Sequence, residues 1–540
     1  MLAKLRSMSV LGIDAHEITI EADISEMLPS FAIVGLPDGA VRESKERVMS
    51  AIKNCGFEFP ARKVTINMAP ADMKKEGSAF DLPIAIGLLM ASSQVSINSA
   101  DDCIIVGELS LDGSVKRIKG MLSIAICARE LGVKRIIVPQ DCAREAAVAK
   151  GLDVYPVATL TDAIEFLADT KQIEPFRTDL DALFNQARTY TIDFRDIKGQ
   201  EHIKRALLVA AAGSHNILMI GPPGSGKTMM ARRLPTILPD MTLDEALETT
   251  KIHSVAGLLD KNTPLLATRP FRSPHHTISD AGLIGGGSYP RPGEVSLSHH
   301  GVLFLDELPE FGKQVLENLR QPLEDGRVTI SRAAMSLSFP ARCTLAVALN
   351  PCPCGFFTST TNRCTCRPDQ IQKYMARISG PLLDRIDIHV EVPALTYEEL
   401  AQKKPGEDSE SMRTKVISAR TVQLERFSGE KNIFCNAHME SRHLRKYCDL
   451  DASSQSLLKT AIEKLGLSAR AYDRILKVAR TIADIDGKES IESPHIAEAI
   501  QYRSLDRKLW MNGQSIPSTG AMYVQEISAV YGDVPAESNG

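Results

Sequence analysis

The sequence predicts a multidomain α/β protein with three folded parts. Its 540 residues are too many for one compact core, because single domains usually contain about 100 to 200 residues. Short β-type runs alternate with helical patterns over the first two parts, whereas the third part has helical spacing throughout. No apolar run approaches the ~20 residues needed to cross a bilayer, so we expect no membrane contact.

The composition and the start of the chain predict a cytoplasmic location. Residues 1–18, MLAKLRSMSVLGIDAHEI, lack the apolar stretch and the cleavage site of a secretory signal. The net charge of −4 provides no overall basic field for nucleic acid, so any contact with DNA must be local. The eleven cysteines are expected to be reduced, which favours burial or metal binding over disulfides.

The first part, residues 1–170, is predicted to be a compact α/β domain. Its segments KVTINMAP, CIIVGELS and RIIVP have the apolar content of short strands. Helical spacing is present in VRESKERVMSAIKNCG and GMLSIAICARELGV. The polar stretch 171–192 is predicted to be a linker.

The second and third parts are predicted at residues 193–395 and 396–510. The second begins with an amphipathic helix that leads into a strand, a glycine-rich loop and a helix. In the third, apolar residues recur at helical spacing in ALTYEELAQKK, SARTVQLERF, SLLKTAIEKLG and AYDRILKVARTIADIDG. Residues 511–540 have little periodicity and are predicted to be a mobile tail.

The strongest chemical signal is the segment NILMIGPPGSGKTMMARRL. It contains a complete phosphate-binding loop, with the apolar strand before it and the helix after it that this motif requires. In such loops the backbone N–H groups face the phosphates, the lysine supplies positive charge, and the hydroxyl is a ligand for Mg²⁺. The predicted ATP-binding residues are Gly221, Pro222, Pro223, Gly224, Ser225, Gly226, Lys227 and Thr228.

Two later strands end in residues suited to ATP hydrolysis. GVLFLDELPEF has four apolar residues before Asp306 and Glu307, a pattern typical of a buried parallel strand with carboxylates at its carboxyl end. Asp306 is predicted to hold Mg²⁺ through water, and Glu307 to polarise the attacking water. CTLAVALN ends in Asn350, which is predicted to orient that water; a capping or turn role is the alternative.

Four cysteines follow Asn350 in the segment NPCPCGFFTSTTNRCTCRPDQ. They form two Cys-x-Cys pairs with nine residues between them. Four thiolates suit tetrahedral Zn²⁺, which would stiffen a loop that has too few apolar residues to fold by packing. Within residues 351–367 we therefore predict a structural zinc site made by Cys352, Cys354, Cys364 and Cys366. Four reduced thiols in a flexible loop are the alternative.

Six segments carry a resemblance to a known family that spans almost the whole chain. They are LPSFAIVGLPDGAVRESKERV, INMAPADMKKEGSAFDLPIAIG, RPFRSPHHTISDAGLIGGG, PGEVSLSHHGVLFLDELPEF, NPCPCG and RISGPLLDRIDIHVEVP. These segments resemble the magnesium-chelatase-like ATPases of the ComM/YifB type, within the AAA+ superfamily. The resemblance implies an AAA+ P-loop αβα core, an all-helical lid, and a ring, expected to be a homohexamer, with ATP between neighbouring subunits.

The same resemblance assigns roles to two arginines. Arg385 in LLDRID resembles the arginine finger that reaches into the next subunit's site, and Arg470 in SARAYDR resembles the sensor arginine of the lid. A positive group is needed where charge builds on the γ-phosphate. Arg377 and Arg474 are close alternatives, and surface ion pairs are the other reading.

The first domain resembles the Lon-protease-like (S5 domain 2-like) fold, which also occurs without peptidase activity in the recombination ATPase RadA. Ser78 lies near the place of the protease nucleophile, and Ile124 stands at the place of its partner lysine. A serine without a base is a weak nucleophile, so we expect an inactive domain.

The resemblance implies a Mg²⁺-dependent ATPase that acts as a DNA helicase and promotes branch migration of recombination intermediates in natural transformation. The expected cofactors are ATP, Mg²⁺ and structural Zn²⁺, and the expected partners are single-stranded or branched DNA and recombination proteins. DNA contacts are expected in two insertions, RPFRSPHHTISDAGLIGGGSYPRPGE and the β-hairpin EDGRVTISRAAMSLSFPAR. The candidate contacts are Arg269, Arg272, His275, His276, Tyr289, Arg291, Arg327 and Arg332.

Two other functions stay open at the level of sequence. One is the motor of a chelatase-type complex that inserts Mg²⁺ into a porphyrin, and the other is an ATP-dependent protease or chaperone. An Asp-x-Ser-x-Ser metal-adhesion segment is not apparent, and the N-terminal domain is additional to a minimal chelatase motor. Both observations favour a motor that acts on DNA over these two alternatives.

Overall fold

A computed structural model describes most of the chain. The described residues are 2–97, 102–186, 190–260, 262–287, 289–332, 335–357, 363–394, 406–430, 433–465, 467–503 and 505. The predicted helix at ALTYEELAQKK lies outside these ranges apart from its first residue, and the predicted tail 511–540 lies wholly outside them. Within these ranges, no helix has the length and apolar character needed to cross a membrane.

The N-terminal part contains a mixed seven-stranded sheet in the order β3-β4-β2-β1-β5-β8-β9. Its strands and the small β6–β7 pair are β1 (Leu2–Leu11), β2 (Asp14–Ser25), β3 (Ser30–Val34), β4 (Lys63–Ala69), β5 (Cys103–Ile105), β6 (Glu108–Leu109), β7 (Val115–Lys116), β8 (Arg135–Pro139) and β9 (Asp153–Val157). Its helices are α1 (Gly39–Arg42), α2 (Ser44–Asn54), α3 (Asp81–Ala91), α4 (Met121–Glu130), α5 (Ala143–Ala146) and α6 (Leu160–Leu167), and α7 (Leu180–Gln186) follows. The α/β prediction is therefore confirmed, although the long antiparallel β1–β2 hairpin was not predicted.

The central part is built on a five-stranded parallel sheet in the order β11-β14-β17-β10-β18. The strands of this part are β10 (Ile217–Ile220), β11 (Phe271–Arg272), β12 (Gly285–Gly286), β13 (Arg291–Pro292), β14 (Val302–Leu305), β15 (Arg327–Arg332), β16 (Met335–Pro340), β17 (Thr344–Leu349) and β18 (Ile388–Glu391). Its helices are α8 (Glu201–Gly213), α9 (Lys227–Ile237), α10 (Leu243–Ala256), α11 (Asp280–Leu283), α12 (Glu294–Leu297), α13 (Lys313–Asn318), α14 (Arg320–Asp325), α15 (Pro368–Met375) and α16 (Gly380–Leu383).

Strand β10 shows why this sheet forms the middle layer of an αβα core. All four of its residues are buried, as expected for a parallel strand covered on both faces. Ile217 and Met219 face the apolar core formed with α8 and α9, whereas Leu218 and Ile220 face the core formed with α13 and the β15–β16 hairpin. Since successive side chains point to opposite faces, the short apolar run suffices to bind both layers.

The C-terminal part is helical, as predicted. It contains α17 (Ser409–Arg426), α18 (Ser441–Tyr447), α19 (Ala452–Leu465), α20 (Ala469–Ile485) and α21 (Ser493–Gln501), which share one apolar core with α8 and α9. A buried polar link supports this packing, because the His215 ring lies 3.2 Å from Asp387 and 2.8 Å from Thr481 of α20. Burial opposes ionisation of Asp387, yet Arg474 and His215 hold the pKa of that carboxyl below its ordinary value.

The N-terminal domain packs directly on the central part. Leu11 and Ile13, at the β1–β2 turn, lie against the apolar core that contains the β15–β16 hairpin. Ser254 at the end of α10 donates a hydrogen bond to Glu145, and its carbonyl oxygen accepts one from the N–H of Gly120. The two domains are therefore joined by both apolar and polar contacts.

Candidate active site

The phosphate-binding loop connects the carboxyl end of β10 to the start of α9. Gly224 and Gly226 have φ angles of +77° and +90°, values that side chains rarely tolerate. These glycines allow the loop to turn tightly before the helix. The loop is fixed to the neighbouring strand β17 by a 3.2 Å hydrogen bond from the N–H of Gly221 to the carbonyl oxygen of Leu349.

Lys227, the first residue of α9, is folded into the loop and is only 7% exposed. Its ammonium group donates to the carbonyl oxygens of Gly221 and Pro222 at 2.8 and 2.9 Å, and lies 3.3 Å from Oδ1 of Asn350. Burial lowers the pKa of Lys227, while Asp306 and Glu307 act in the opposite sense. Its hydrogen-bond partners among the described residues are uncharged oxygens, so its charge remains available for a phosphate group.

The residues predicted to hold Mg²⁺ lie side by side. The Thr228 hydroxyl donates to Oδ2 of Asp306 at 2.6 Å, because α9 and β14 both present these side chains at the carboxyl edge of the sheet. Hydroxyl and carboxylate oxygens are ligands that Mg²⁺ prefers, so the donor set fits the ion. When bound, Mg²⁺ neutralises charge on the phosphates.

Glu307 has an unusual backbone conformation at the same edge. Its φ angle is +53°, and its side chain is 52% exposed. The carboxylate is therefore accessible to a water molecule next to Asp306. Positive φ is uncommon for a residue with a side chain and often occurs at functional sites.

Sequence reasoning missed one neighbour of Glu307. Nδ1 of His276 lies 3.8 Å from Oε2 of Glu307, and its ring packs edge-on against Phe311. His276 was predicted as a DNA contact within the first insertion. It reaches Glu307 because it follows β11, the strand next to β14, but β11 has only two residues and gives no recognisable strand pattern.

Arg385 lies at the opposite edge of the sheet from the loop of its own subunit. It precedes β18, whose first residue, Ile388, pairs with Ile217 at the amino end of β10. The four residues of β10 separate the two edges by about 13 Å. Arg385 is 6% exposed, forms an ion pair with Glu324, and donates to the carbonyl oxygen of Pro381 at 2.6 Å.

Arg470 lies on the same side of the subunit as Arg385. Its side chain is 65% exposed, and the guanidinium group is 3.8 Å from Asp384. It also lines a surface cavity of about 500 Å³ together with Tyr472. The two arginines thus lie together, away from the phosphate-binding loop of their own chain.

The alternative arginines occupy different places. Arg377 pairs with Glu310 at 3.0 Å, close to Glu307 in the sequence, and so lies near the site of its own subunit. Arg474 forms an ion pair with the buried Asp387. That pair connects α20 to the segment that carries Arg385.

The four predicted zinc ligands converge. Their sulfur atoms all lie within 4.8 Å of one another, and the closer pairs are 3.3 Å (Cys352–Cys354), 3.6 Å (Cys354–Cys364) and 3.7 Å (Cys352–Cys364) apart. Zn–S bonds of about 2.3 Å in a tetrahedron place sulfur atoms about 3.8 Å apart. These residues, called the cysteine cluster below, therefore fit a zinc ion.

A second cluster of metal-type ligands, formed by Glu248, His299 and His300, does not have the chemistry of a metal site. Nδ1 of His299 accepts a hydrogen bond from the N–H of Arg342 at 2.9 Å. A neutral imidazole that accepts at one nitrogen carries its proton on the other, so Nε2, which faces Glu248, has no lone pair for a metal. Burial lowers the pKa of His299 to about 4, which keeps it neutral.

The two protease-like residues of the N-terminal domain have different surroundings. The Ser78 hydroxyl donates to the carboxylate of Glu108. Ile124, which stands at the place of the protease lysine, is 1% exposed and belongs to the apolar core of the domain.

The two insertions differ in what they expose. Arg269 and Arg272 form ion pairs with Glu245 and Glu294, so in the single chain their charges are already paired. Tyr289 donates a hydrogen bond to the carbonyl oxygen of Val10 at 3.1 Å and is thus part of the contact with the N-terminal domain. Burial raises the pKa of Tyr289 to about 12.

The second insertion forms the predicted antiparallel hairpin, from the Arg327–Pro340 pair to the Arg332–Met335 pair. Its apolar side chains, Val328, Ile330, Leu337 and Phe339, are buried. Its exposed side chains are Arg327, Thr329, Ser331, Arg332, Ser336 and Ser338.

Comparison with known proteins decides the family. Models described as subunit ChlI of magnesium chelatase match residues 20–142 and 193–400, and a model of its C-terminal region matches residues 406–503. Competence protein ComM of Haemophilus influenzae is 44% identical over 511 residues, which cover 94% of this chain and 98% of that protein. The chain belongs to the ComM/YifB family.

Other relatives support this assignment. The uncharacterized protein YifB of Escherichia coli is 43% identical over 510 residues, again with 94% and 98% coverage. Lon protease 2 of Bacillus subtilis is 33% identical over 157 residues, which are 26% of this chain and 27% of the protease. This ComM/YifB chain therefore has a Lon-protease-like N-terminal domain, an AAA+ ATPase core for ATP and Mg²⁺, and a helical lid.

Proposed function

We propose that this ComM/YifB protein is a ring-forming, Mg²⁺-dependent ATPase motor that acts on DNA. The observation that carries the proposal is the division of the ATPase residues between two edges of the central sheet. Lys227, Asp306 and Glu307 lie at one edge, and Arg385 lies at the other with Arg470 near it.

The division supports assembly because the arginines cannot reach the nucleotide of their own subunit across the sheet. A neighbouring subunit in a ring can bring its arginines to that nucleotide, where they stabilise charge on the γ-phosphate. Arg385 must then leave Glu324, to which it is paired in the single chain. We propose a homohexamer, with Arg385 as the finger and Arg470 as the sensor, both acting on the next subunit.

The β15–β16 hairpin is the proposed DNA contact. Its exposed face carries Arg327, Arg332 and several hydroxyl groups, which are side chains that commonly bind phosphate oxygens. Repetition around a ring makes up for the small number of contacts per subunit and for the net charge of −4. Arg291 in the first insertion is also exposed and adds to this surface.

The name of the Haemophilus relative supports a role in competence. We propose that the motor is a helicase that promotes branch migration of recombination intermediates during natural transformation, in the cytoplasm and with recombination proteins as partners. The second candidate is a chelatase-type motor, which the names of the matching family models favour. ATP hydrolysis with branched DNA, compared with porphyrin and chelatase partners, separates the two.

We also propose one structural Zn²⁺ ion in the cysteine cluster. Metal analysis of protein purified without chelators should find about one zinc per chain. Replacing Cys352 and Cys354 together with serine should remove the metal and lower the melting temperature. Replacing Cys103 and Cys142, which are buried in the N-terminal domain, should leave the metal content unchanged. A metal-free wild-type protein with four freely reactive thiols in the cluster would contradict the proposal.

A further inference from the structure

The cysteine cluster lies directly against the phosphate-binding loop. Gly355, which follows Cys354, has a φ angle of +84° and its N–H bonds to the carbonyl oxygen of Cys352 at 2.9 Å, forming a turn. A β-carbon at Gly355 would lie 2.4 and 2.7 Å from Cδ and Cγ of Pro223. The turn is therefore in close contact with the loop, with no room for a side chain between them.

A second connection runs through the strand that precedes the cluster. Asn350 is two residues before Cys352, which is fully buried. The N–H of Gly221 is bonded to the carbonyl oxygen of Leu349, and Asn350 lies 3.3 Å from the Lys227 ammonium group. Any shift of the Cys352–Gly355 turn would thus disturb both Asn350 and the loop.

We infer that the metal-loaded cysteine cluster is a positioning element of the ATP site. This inference rests on the zinc site of the proposed function and assigns that site a further role. Cys352 and Cys354 would be fixed by a bound ion, the turn between them would hold Gly355 against Pro223, and the loop would keep the shape that its backbone N–H groups need to bind phosphates. This role requires no contact between the ion and the nucleotide.

The variant that tests this role leaves the four thiols in place. Gly355→Ala should retain one zinc per chain but weaken ATP binding and kcat/KM by about 10- to 100-fold, because the added methyl group displaces Pro223. Gly132→Ala is the matched control. Gly132 also has a positive φ angle, +74°, but an added β-carbon there meets no atom within 4 Å.

The unmutated protein supplies an independent measurement. Co²⁺ exchanged into the cluster gives tetrathiolate absorption bands that report on the ligand geometry. Saturating ADP or a non-hydrolysable ATP analogue should shift these bands in wild-type protein, since the loop and the turn move together. The Gly132→Ala protein should show the same shift.

The outcomes separate this inference from the proposals on which it rests. A cluster that binds neither Zn²⁺ nor Co²⁺ would overturn the zinc site and this inference together. Metal binding combined with wild-type ATP affinity in Gly355→Ala would show that the positioning role is wrong. Cobalt bands that do not change when nucleotide binds would show the same. Neither result would contradict the zinc site or the motor function.

Discussion

Replacing Arg385 with alanine should reduce ATP hydrolysis by about 10³- to 10⁵-fold, the range that an arginine finger contributes. ATP binding should change little, because Arg385 lies at the opposite sheet edge from Lys227 of the same chain. The loss should therefore appear in kcat rather than in nucleotide affinity. Isothermal titration with ATP and steady-state hydrolysis measure the two quantities separately.

Mixing two inactive variants tests whether Arg385 acts on the next subunit. An Arg385→Ala subunit has an intact loop, and a Glu307→Gln subunit has an intact arginine. A site is complete where the nucleotide is bound by an Arg385→Ala subunit and the neighbouring Glu307→Gln subunit supplies Arg385. Mixed rings should therefore recover part of the ATPase activity. The absence of any recovery in rings shown to contain both variants would place Arg385 outside the neighbouring site.

Replacing Glu307 with glutamine should reduce kcat by about 10²- to 10⁴-fold, since the amide cannot accept the proton of the attacking water. Lys227, Thr228 and Asp306 are unchanged, so the variant should still bind ATP. Equilibrium binding of ATP and single-turnover hydrolysis check the two statements.

Glu310→Gln is the matched control for this change. Glu310 lies three residues further along the chain and pairs with Arg377. The Glu310→Gln variant should hydrolyse ATP at close to the wild-type rate. Normal turnover by Glu307→Gln, or an equal loss in both variants, would show that Glu307 does not activate the water.

The grouping of the candidate nucleotide-binding residues could be predicted from the sequence because each is tied to a local pattern. The glycine spacing identifies the loop, and the apolar runs before Asp306 and Asn350 identify buried parallel strands. Parallel strands bring their carboxyl ends to one edge, so these side chains had to meet. The hairpin was predictable for the same reason, since Val328 and Ile330 alternate with polar residues.

The remaining features depend on contacts between segments that are distant in the sequence. Arg269 and Arg272 look like free basic residues until the fold supplies Glu245 and Glu294. Tyr289 meets Val10 only because the N-terminal domain packs against the insertion. Local patterns carry no information about such partners, and they likewise gave no sign that Gly355 approaches Pro223.

The most direct test of the DNA-motor proposal is the rate of ATP hydrolysis by the wild-type ring with single-stranded, forked and branched DNA. We expect DNA to stimulate hydrolysis, and the DNA affinity to fall steeply with salt as phosphate contacts release counterions. A double substitution, Arg327→Ala with Arg332→Ala, should lose the stimulation and keep ring formation and basal hydrolysis, because both residues lie outside the nucleotide site. A wild-type ring that binds no DNA at low salt, and whose ATPase responds to porphyrin with chelatase partners but not to branched DNA, would contradict the proposal.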